Sequence, residues 1–185
     1  MDSTGILIQT IALVILLIGS GFFSASETSL MSLSKIRIRH MQEEGVKGAK
    51  LVASLIEDSN KLLSTILVGN NVVNIAATSI STSLFMTLLG SNGVPVATAV
   101  MTVLVFGEIT PKTIAANNSE KVAIFVSRPI KVIIFILKPV VWVFNLVTGV
   151  IFKILGVKDK SNQPYITEEE LKTMVNVGHE EGVLE

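Results

Sequence analysis

The sequence contains no cysteine and only two histidines, His40 and His179, among its 185 residues. The lack of cysteine excludes disulfides, thiolate metal sites and a cysteine nucleophile. Neither histidine lies in an apolar run, which argues against a buried zinc or copper site because these metals favour imidazole or thiolate ligands. A metal bound within the apolar part of the chain would therefore be held by oxygen atoms.

Charge is scarce as well. Only 16% of the residues are charged, 49% are hydrophobic and the mean hydropathy is +0.63, far above that of a soluble domain. Acidic and basic residues balance to a net charge of zero, so the chain lacks the basic surplus of a nucleic-acid-binding protein. The composition predicts an all-α integral membrane protein.

Three apolar runs are long enough to cross a hydrocarbon core of about 30 Å as helices. We expect transmembrane spans at about residues 6–33, 62–89 and 94–116, with a tight loop at 90–93. The first run is preceded by Asp2 and by no basic residue, unlike a signal peptide. It is therefore expected to be an uncleaved span.

The basic residues predict the orientation of these spans. Six of them lie at 35–61, between the first and second runs, whereas the amino terminus and the 90–93 loop have none. Positive charge marks the cytoplasmic side, so the amino terminus is expected outside and the carboxyl terminus in the cytoplasm. The spacing of Leu51, Val52, Leu55 and Ile56 also predicts a cytoplasmic amphipathic helix.

The remaining apolar run is interrupted by basic residues and by Pro129 and Pro139. Proline removes a backbone donor and disfavours helix in the residue before it. We therefore expect residues 119–157 to form a proline-broken juxtamembrane helical element, anchored by Trp142 and snorkelling lysines, rather than a fourth span. The transmembrane domain would then cover residues 1–157.

Residues 158–185 have a different, acidic character. The spacing of Thr167 and Glu170 matches a capping box and predicts the start of an acidic amphipathic helix. We expect this segment to be a helical linker, truncated before cytoplasmic regulatory domains that are absent from this chain; the alternative is a short solvated tail.

Polar residues in the three spans fall at similar depths. Glu108 is the only charged residue between Leu62 and Thr110. Counted from Lys35 for Ser24, from Lys61 for Asn70 and Asn74, and from Lys121 for Glu108, these residues all lie roughly 13 to 20 Å inward. The three spans are therefore expected to bring oxygen ligands to one level.

The residue types at that level suit a hard cation. Asn70 and Asn74 are one helical turn apart and present amide oxygens on one face. Pro111 cannot donate to the carbonyl of Gly107, which is thereby freed beside Glu108. One anion among neutral oxygens is an arrangement that Mg²⁺ accepts.

Each of these residues also has a simpler interpretation. Asparagine and serine in membrane helices often only bridge neighbouring helices, and for Asn70 and Asn74 this reading carries equal weight. Glu108 could be protonated or could pair with Lys112, but Lys112 lies closer to water and is expected to snorkel away. Glu27 is expected to pair with basic residues at the interface.

Four motifs occur in order along the chain: FFSASETSLMSLSKIRIRH, LVGNNVVNIAATS, FGEITPKTIAANN and YITEEELKTMVNVGHEEGVLE. Together they resemble the membrane domain of the CNNM/CorC family of magnesium transporters. The resemblance implies three spans with a juxtamembrane element, a homodimer in the lipid bilayer and a Mg²⁺ site open to the cytoplasm. It also implies Mg²⁺ export coupled to Na⁺, and ATP binding only through cytoplasmic domains absent from this chain.

The resemblance also implies a set of metal ligands. These are Ser24 of SASE, Asn70 and Asn74 of GNNVVN, and Glu108 of GEITPK, with Ser26 as the alternative to Ser24. Five further residues are expected to contribute through the backbone or by supporting the ligands: Gly107, Pro111, Ser26, Asn71 and Lys112.

The expected function is Mg²⁺ export by alternating access, with a largely dehydrated ion bound between the spans. A magnesium-sensing or scaffolding membrane protein would use the same residues. An enzyme is not expected, because a single carboxylate without a histidine in the spans lacks the groups that a hydrolase needs.

Overall fold

The computed structural model describes residues 3–90 and 93–155, and it contains helices and no strand in these ranges. The chain divides into two units, residues 1–144 and 145–185. The described part of the second unit is the end of the last helix, and the expected acidic linker at 158–185 lies outside the described residues. The helices in chain order are α1 (Ser3–Ser32), α2 (Lys35–Glu43), α3 (Ala49–Glu57), α4 (Ser59–Leu89), α5 (Gly93–Thr102), a π-helical segment (Val103–Ile109), α6 (Thr110–Asn117) and α7 (Ser119–Leu155).

Local sequence signals define where these helices begin and end. The Ser34 hydroxyl accepts a hydrogen bond from the Arg37 N–H at 3.2 Å and caps α2. The Asp58 carboxylate accepts from the Lys61 N–H at 3.3 Å and caps α4. Gly90 ends α4 at φ +87°, a left-handed conformation that favours glycine. With these ends, α2 and α3 are short helices between the long helices α1 and α4.

The three predicted spans are confirmed as helices long and apolar enough to cross a membrane: Ser3–Ser32, Ser59–Leu89 and Pro95–Asn117. The third is continuous but changes its winding, from α5 through the π-helical segment to α6. Here the Thr110 N–H donates to the carbonyl of Val105, five residues earlier. This wider turn comes directly before Pro111, which has no N–H of its own to donate.

Small residues allow the spans to approach closely. A Cβ on Gly69 of α4 would collide with the ring of Phe23 on α1. A Cβ on Gly21 of α1 would lie 3.0 Å from the ring of Pro111. Glycine at such crossings brings backbones together, as is common between membrane helices. As a result, α1 packs against both α4 and the π–α6 part of the third span.

The buried apolar residues form two clusters in the first unit. One joins α1, α4 and the start of the third span through Leu13, Ala77, Leu84 and Val103. The other joins the opposite ends of α1 and α4 to α2, α3 and α7; its members include Leu30, Ile38, Val52, Leu62, Val126 and Ile130. On α4, the polar residues Asn70 and Asn74 lie between the parts of the helix that belong to these two clusters.

The expected break in residues 119–157 is wrong, because α7 is one helix of 37 residues with Pro129 and Pro139 inside it. The carbonyls that these prolines cannot bond belong to Phe125 and Phe135, four residues earlier. Both phenylalanines lie on the outer face, with 76% and 80% of their surface exposed. Carbonyls on such a face can bond to water or lipid headgroups, so the helix continues.

By length and apolar content α7 is a fourth candidate span, at Ser119–Ile151. Its first half argues against a crossing there, since Lys121, Arg128, Lys131 and Lys138 are all exposed over a rise of about 26 Å. Each charge at the bilayer centre would cost at least about 2.5 to 3.5 kcal/mol. That this part lies along the membrane surface stays a prediction, and it is supported by the charges of the helix rather than by its prolines.

The contact between Gly69 and Phe23 can be tested by Gly69→Ala. The added Cβ would collide with a buried ring, and overpacking of this kind costs about 1 to 3 kcal/mol. We expect a melting temperature several degrees lower in detergent, measured by size-exclusion chromatography after heating. Gly149→Ala is the control, since no atom lies within 4 Å of its added Cβ; equal melting temperatures for both variants would contradict this packing.

Candidate cation site

Ser20 lies where α1, α4 and the π-helical segment meet. Its side chain is fully buried, and its hydroxyl lies within hydrogen-bond distance of Asn74 Oδ1 on α4 and, at 2.9 Å, of the Gly107 carbonyl oxygen. A hydroxyl has one hydrogen to donate, so only one of these two acceptors can be satisfied at a time. Three spans thus place two acceptor oxygens around one hydroxyl hydrogen.

Gly107 is required at this point by the closeness of α1. A Cβ on Gly107 would lie 2.6 Å from Ser20 Oγ. The carbonyl of Gly107 is the one that Pro111, four residues later, cannot bond. This carbonyl accepts a hydrogen bond from the Ser20 hydroxyl of α1.

A second pair of oxygens lies one turn along the same two helices. Ser24 Oγ is 3.5 Å from Asn70 Oδ1, and Ser24 is fully buried while Asn70 is 9% exposed. The Ser26 hydroxyl instead donates to the Phe22 carbonyl of its own helix at 2.6 Å. Asn71 is exposed on α4. Of the two serines considered from the sequence, Ser24 is the one that reaches α4.

The carboxylate of Glu108 does not stand alone. Lys112 Nζ lies 3.1 Å from Glu108 Oε1 and 3.3 Å from Glu27 Oε2, so one ammonium lies between acids of the third span and α1. The expectation that Lys112 snorkels away is therefore wrong. Four residues place Lys112 one turn from Glu108, on the same face. We call Glu27, Glu108 and Lys112 the acidic triad; its formal charge is −1.

The predicted site residues thus fall into two adjoining groups. Ser24, Asn70 and Asn74 belong to a buried set of oxygen atoms, which we call the oxygen cluster together with Ser20 and the Gly107 carbonyl. Glu108 belongs to the acidic triad and follows Gly107 directly in the chain. The described residues contain no group of three or more histidine, cysteine or acidic side chains that could hold a metal. A cation here would be bound mostly by neutral oxygens.

Sequence reasoning missed Ser20 and gave Glu27 only an interfacial role. Both could have been found from the period of α1, because Ser20, Ser24 and Glu27 follow one another at four and three residues. That spacing places these three polar side chains on one face of α1. The same face meets Asn70 and Asn74, which are themselves four residues apart.

The fold and this site define a multi-pass helical membrane protein with polar and acidic groups held between its spans. The family model for the cyclin M transmembrane N-terminal domain, CNNM, matches residues 11–185. The chain therefore belongs to the CNNM family, a family of membrane domains rather than of known enzymes, and the resemblance noted from its motifs is confirmed.

Curated relatives agree with this assignment. A UPF0053 protein of Haemophilus influenzae is 43% identical over 178 residues, covering 95% of this chain and 42% of that protein. The UPF0053 inner membrane protein YfjD of Escherichia coli is 41% identical over 163 residues, which cover 85% of this chain and 37% of the YfjD protein. A polyamine export protein of Haemophilus influenzae is 26% identical over 189 residues, which cover 94% of this chain and 44% of that protein. The chain thus spans less than half the length of these relatives.

The role of Ser20 can be tested by Ser20→Ala, which removes the hydrogen shared by Asn74 and Gly107. Leaving a buried acceptor without a donor costs about 1 to 3 kcal/mol. We expect Ser20→Ala to lower the melting temperature more than Ser79→Ala, whose exposed hydroxyl only donates to the Ile75 carbonyl of its own helix. Equal effects would show that Ser20 does not join the spans.

Proposed function

We propose that this chain is the membrane domain of a magnesium transporter that exports Mg²⁺ by alternating access, with Na⁺ as the coupling ion. The observation that carries the proposal is the oxygen cluster, in which oxygen atoms from three spans meet next in the chain to the acid Glu108. Mg²⁺ takes six oxygen ligands in near-octahedral geometry. Membership of the CNNM family supports transport at the level of the family.

The proposed ligands are Ser24, Asn70, Asn74 and Glu108, with the Gly107 carbonyl as the backbone candidate. We add the Ser20 hydroxyl as a further candidate, because it lies between Asn74 and Gly107. Ser26 and Asn71 would support the ligands without binding the ion themselves. The Ser26 hydroxyl is bonded within α1, and the Asn71 side chain is exposed. Pro111 would act through the backbone, by leaving the Gly107 carbonyl free. Binding would replace the hydrogen bonds inside the oxygen cluster with bonds to the ion.

Lys112 has a specific part in this mechanism. Its ammonium neutralises one of two carboxylates that would otherwise be unpaired within the bundle, where an isolated charge is costly. Mg²⁺ binding at Glu108 would displace the ammonium toward Glu27 or the membrane surface. When the ion leaves, the ammonium of Lys112 would pair with Glu108 again. The empty transporter could then reorient without an unpaired carboxylate at Glu108.

The assembly and orientation belong to the same proposal. The amino terminus would lie outside and the carboxyl terminus in the cytoplasm, so that the ion enters from the cytoplasmic side. The functional unit would be a homodimer in the bilayer. ATP would act only through cytoplasmic domains beyond this chain.

Export of an organic polycation is a second candidate, favoured by one specific observation. The acidic triad already holds a primary ammonium, that of Lys112, between two carboxylates. Relatives 25 to 26% identical to this chain are named polyamine export proteins. Flux of Mg²⁺ and of spermidine from the same liposomes separates the two substrates, and absence of both fluxes would favour a magnesium-sensing or scaffolding protein.

The proposal predicts that Glu108→Gln abolishes Mg²⁺ flux in liposomes while the protein keeps its elution volume and melting temperature. The amide is nearly the same size but lacks the only negative charge of the third span. Glu57→Gln, at an exposed position on α3, should transport like the wild type. In calorimetric titration, Asn70→Ala and Asn74→Ala should bind Mg²⁺ more weakly. Full flux in Glu108→Gln would overturn the assignment.

A further prediction concerns Lys112→Met. Removing the ammonium that competes for Glu108 should tighten Mg²⁺ binding several-fold in calorimetry while slowing flux, because the empty site would then keep two unpaired acids. Lys50→Met, an exposed lysine on α3, is the control and should change neither quantity. Unchanged affinity in Lys112→Met would mean that lysine and ion do not compete.

A further inference from the structure

A second charged surface lies outside the candidate site, on the first half of α7. Lys121, Arg128, Lys131 and Lys138 are all exposed, and none has an ion-pair partner among residues 3–90 and 93–155. Their spacing of seven, three and seven residues places them within a sector of about 100° around the helix. We call this surface the basic stripe.

The packing of α7 determines which way the basic stripe points. Ala123, Val126 and Ile130 are buried in the cluster that includes the ends of α1 and α4. These residues lie on the other side of the helix from the stripe. Ile124 approaches Gly48, next to α3, so this half of α7 lies at the end of the bundle that carries α2 and α3.

Large apolar side chains flank the basic stripe on the same outer surface. Phe125, Phe135 and Trp142 expose 76%, 80% and 65% of their surface. Aromatic residues next to basic ones are typical of a helix lying in the membrane interface, with rings toward the acyl chains and charges among the headgroups.

The stripe has no acid of its own helix to neutralise it. Glu120 is the only acidic residue between Ser119 and Leu155, and it pairs with Arg37 of α2 at 2.6 Å. Four like charges with exposed rings beside them require a negatively charged partner that also accepts apolar groups. A protein surface would have to supply both features at this spacing, whereas an anionic bilayer surface supplies them everywhere along a helix.

We propose that the basic stripe binds the headgroups of anionic phospholipids and holds the first half of α7 along the bilayer surface. The positive charges attract anionic lipids, and the attraction grows with each basic residue near the surface. This proposal does not depend on Mg²⁺ transport, since it involves neither the oxygen cluster nor the acidic triad.

The single tryptophan of the chain provides a direct probe, because Trp142 lies one turn after Lys138 on the same face. Brominated lipids quench tryptophan fluorescence on contact. The 185-residue protein would be reconstituted in phosphatidylcholine containing equal fractions of either brominated phosphatidylglycerol or brominated phosphatidylcholine. We expect at least about threefold stronger association of the anionic lipid with the site around Trp142.

Matched variants separate the stripe from the overall charge of the protein. Lys121→Gln/Lys131→Gln/Lys138→Gln should reduce the preference to near one, whereas the same positions changed to arginine should keep it. Lys47→Gln/Lys50→Gln/Lys61→Gln removes three exposed lysines elsewhere and should also keep it. All four positions of the stripe are exposed, and the melting temperature of each variant provides the test of folding.

Three results would overturn the proposal. Equal quenching by the two brominated lipids in the wild type would show that the surface contacts lipid without regard to charge. Quenching by neither would show that protein covers it, a second copy of the chain included. An equal loss of preference in the Lys47/Lys50/Lys61 variant would assign the effect to net charge rather than to the stripe.

Discussion

The hydrocarbon core of a bilayer offers neither hydrogen-bond donors nor acceptors, so a polar group there must find its partner within the protein. This constraint shapes the centre of the protein. The Gly107 carbonyl, freed by Pro111, is met by the hydroxyl of Ser20, and the carboxylate of Glu108 is met by the ammonium of Lys112. The close approach of α1, allowed by glycines at the crossings, makes the contact of Ser20 possible, whereas Glu108 and Lys112 lie one turn apart within the third span.

The same constraint explains how such a site could carry an ion. A cation could replace each internal contact of the oxygen cluster and the acidic triad: the shared hydroxyl hydrogen of Ser20, the long contact of 3.5 Å between Ser24 and Asn70, and the ammonium of Lys112. Under the proposed mechanism, the ion would take the place of these internal partners when it binds, and the partners would return when it leaves.

Much of this organisation could be predicted from the sequence. The spans follow from hydropathy, and the shared face of Asn70 and Asn74, which meets α1, follows from helical periodicity. The partner of Glu108 could not be predicted, because Lys112 can point toward water or toward the acid, and only the position of Glu27 on α1 decides between them. Nor could the continuity of α7 be predicted, since the effect of Pro129 and Pro139 depends on whether the freed carbonyls face the core or the surface.

The most direct test of the account is anomalous diffraction from crystals of the protein in which Mn²⁺ substitutes for Mg²⁺. The account predicts a single strong peak within about 2.2 Å of Glu108 and of oxygens from α1 and α4, with Lys112 displaced from the carboxylate. Ordered density for the three spans with no peak beside Glu108, and with Lys112 still between Glu27 and Glu108 at saturating Mn²⁺, would contradict it.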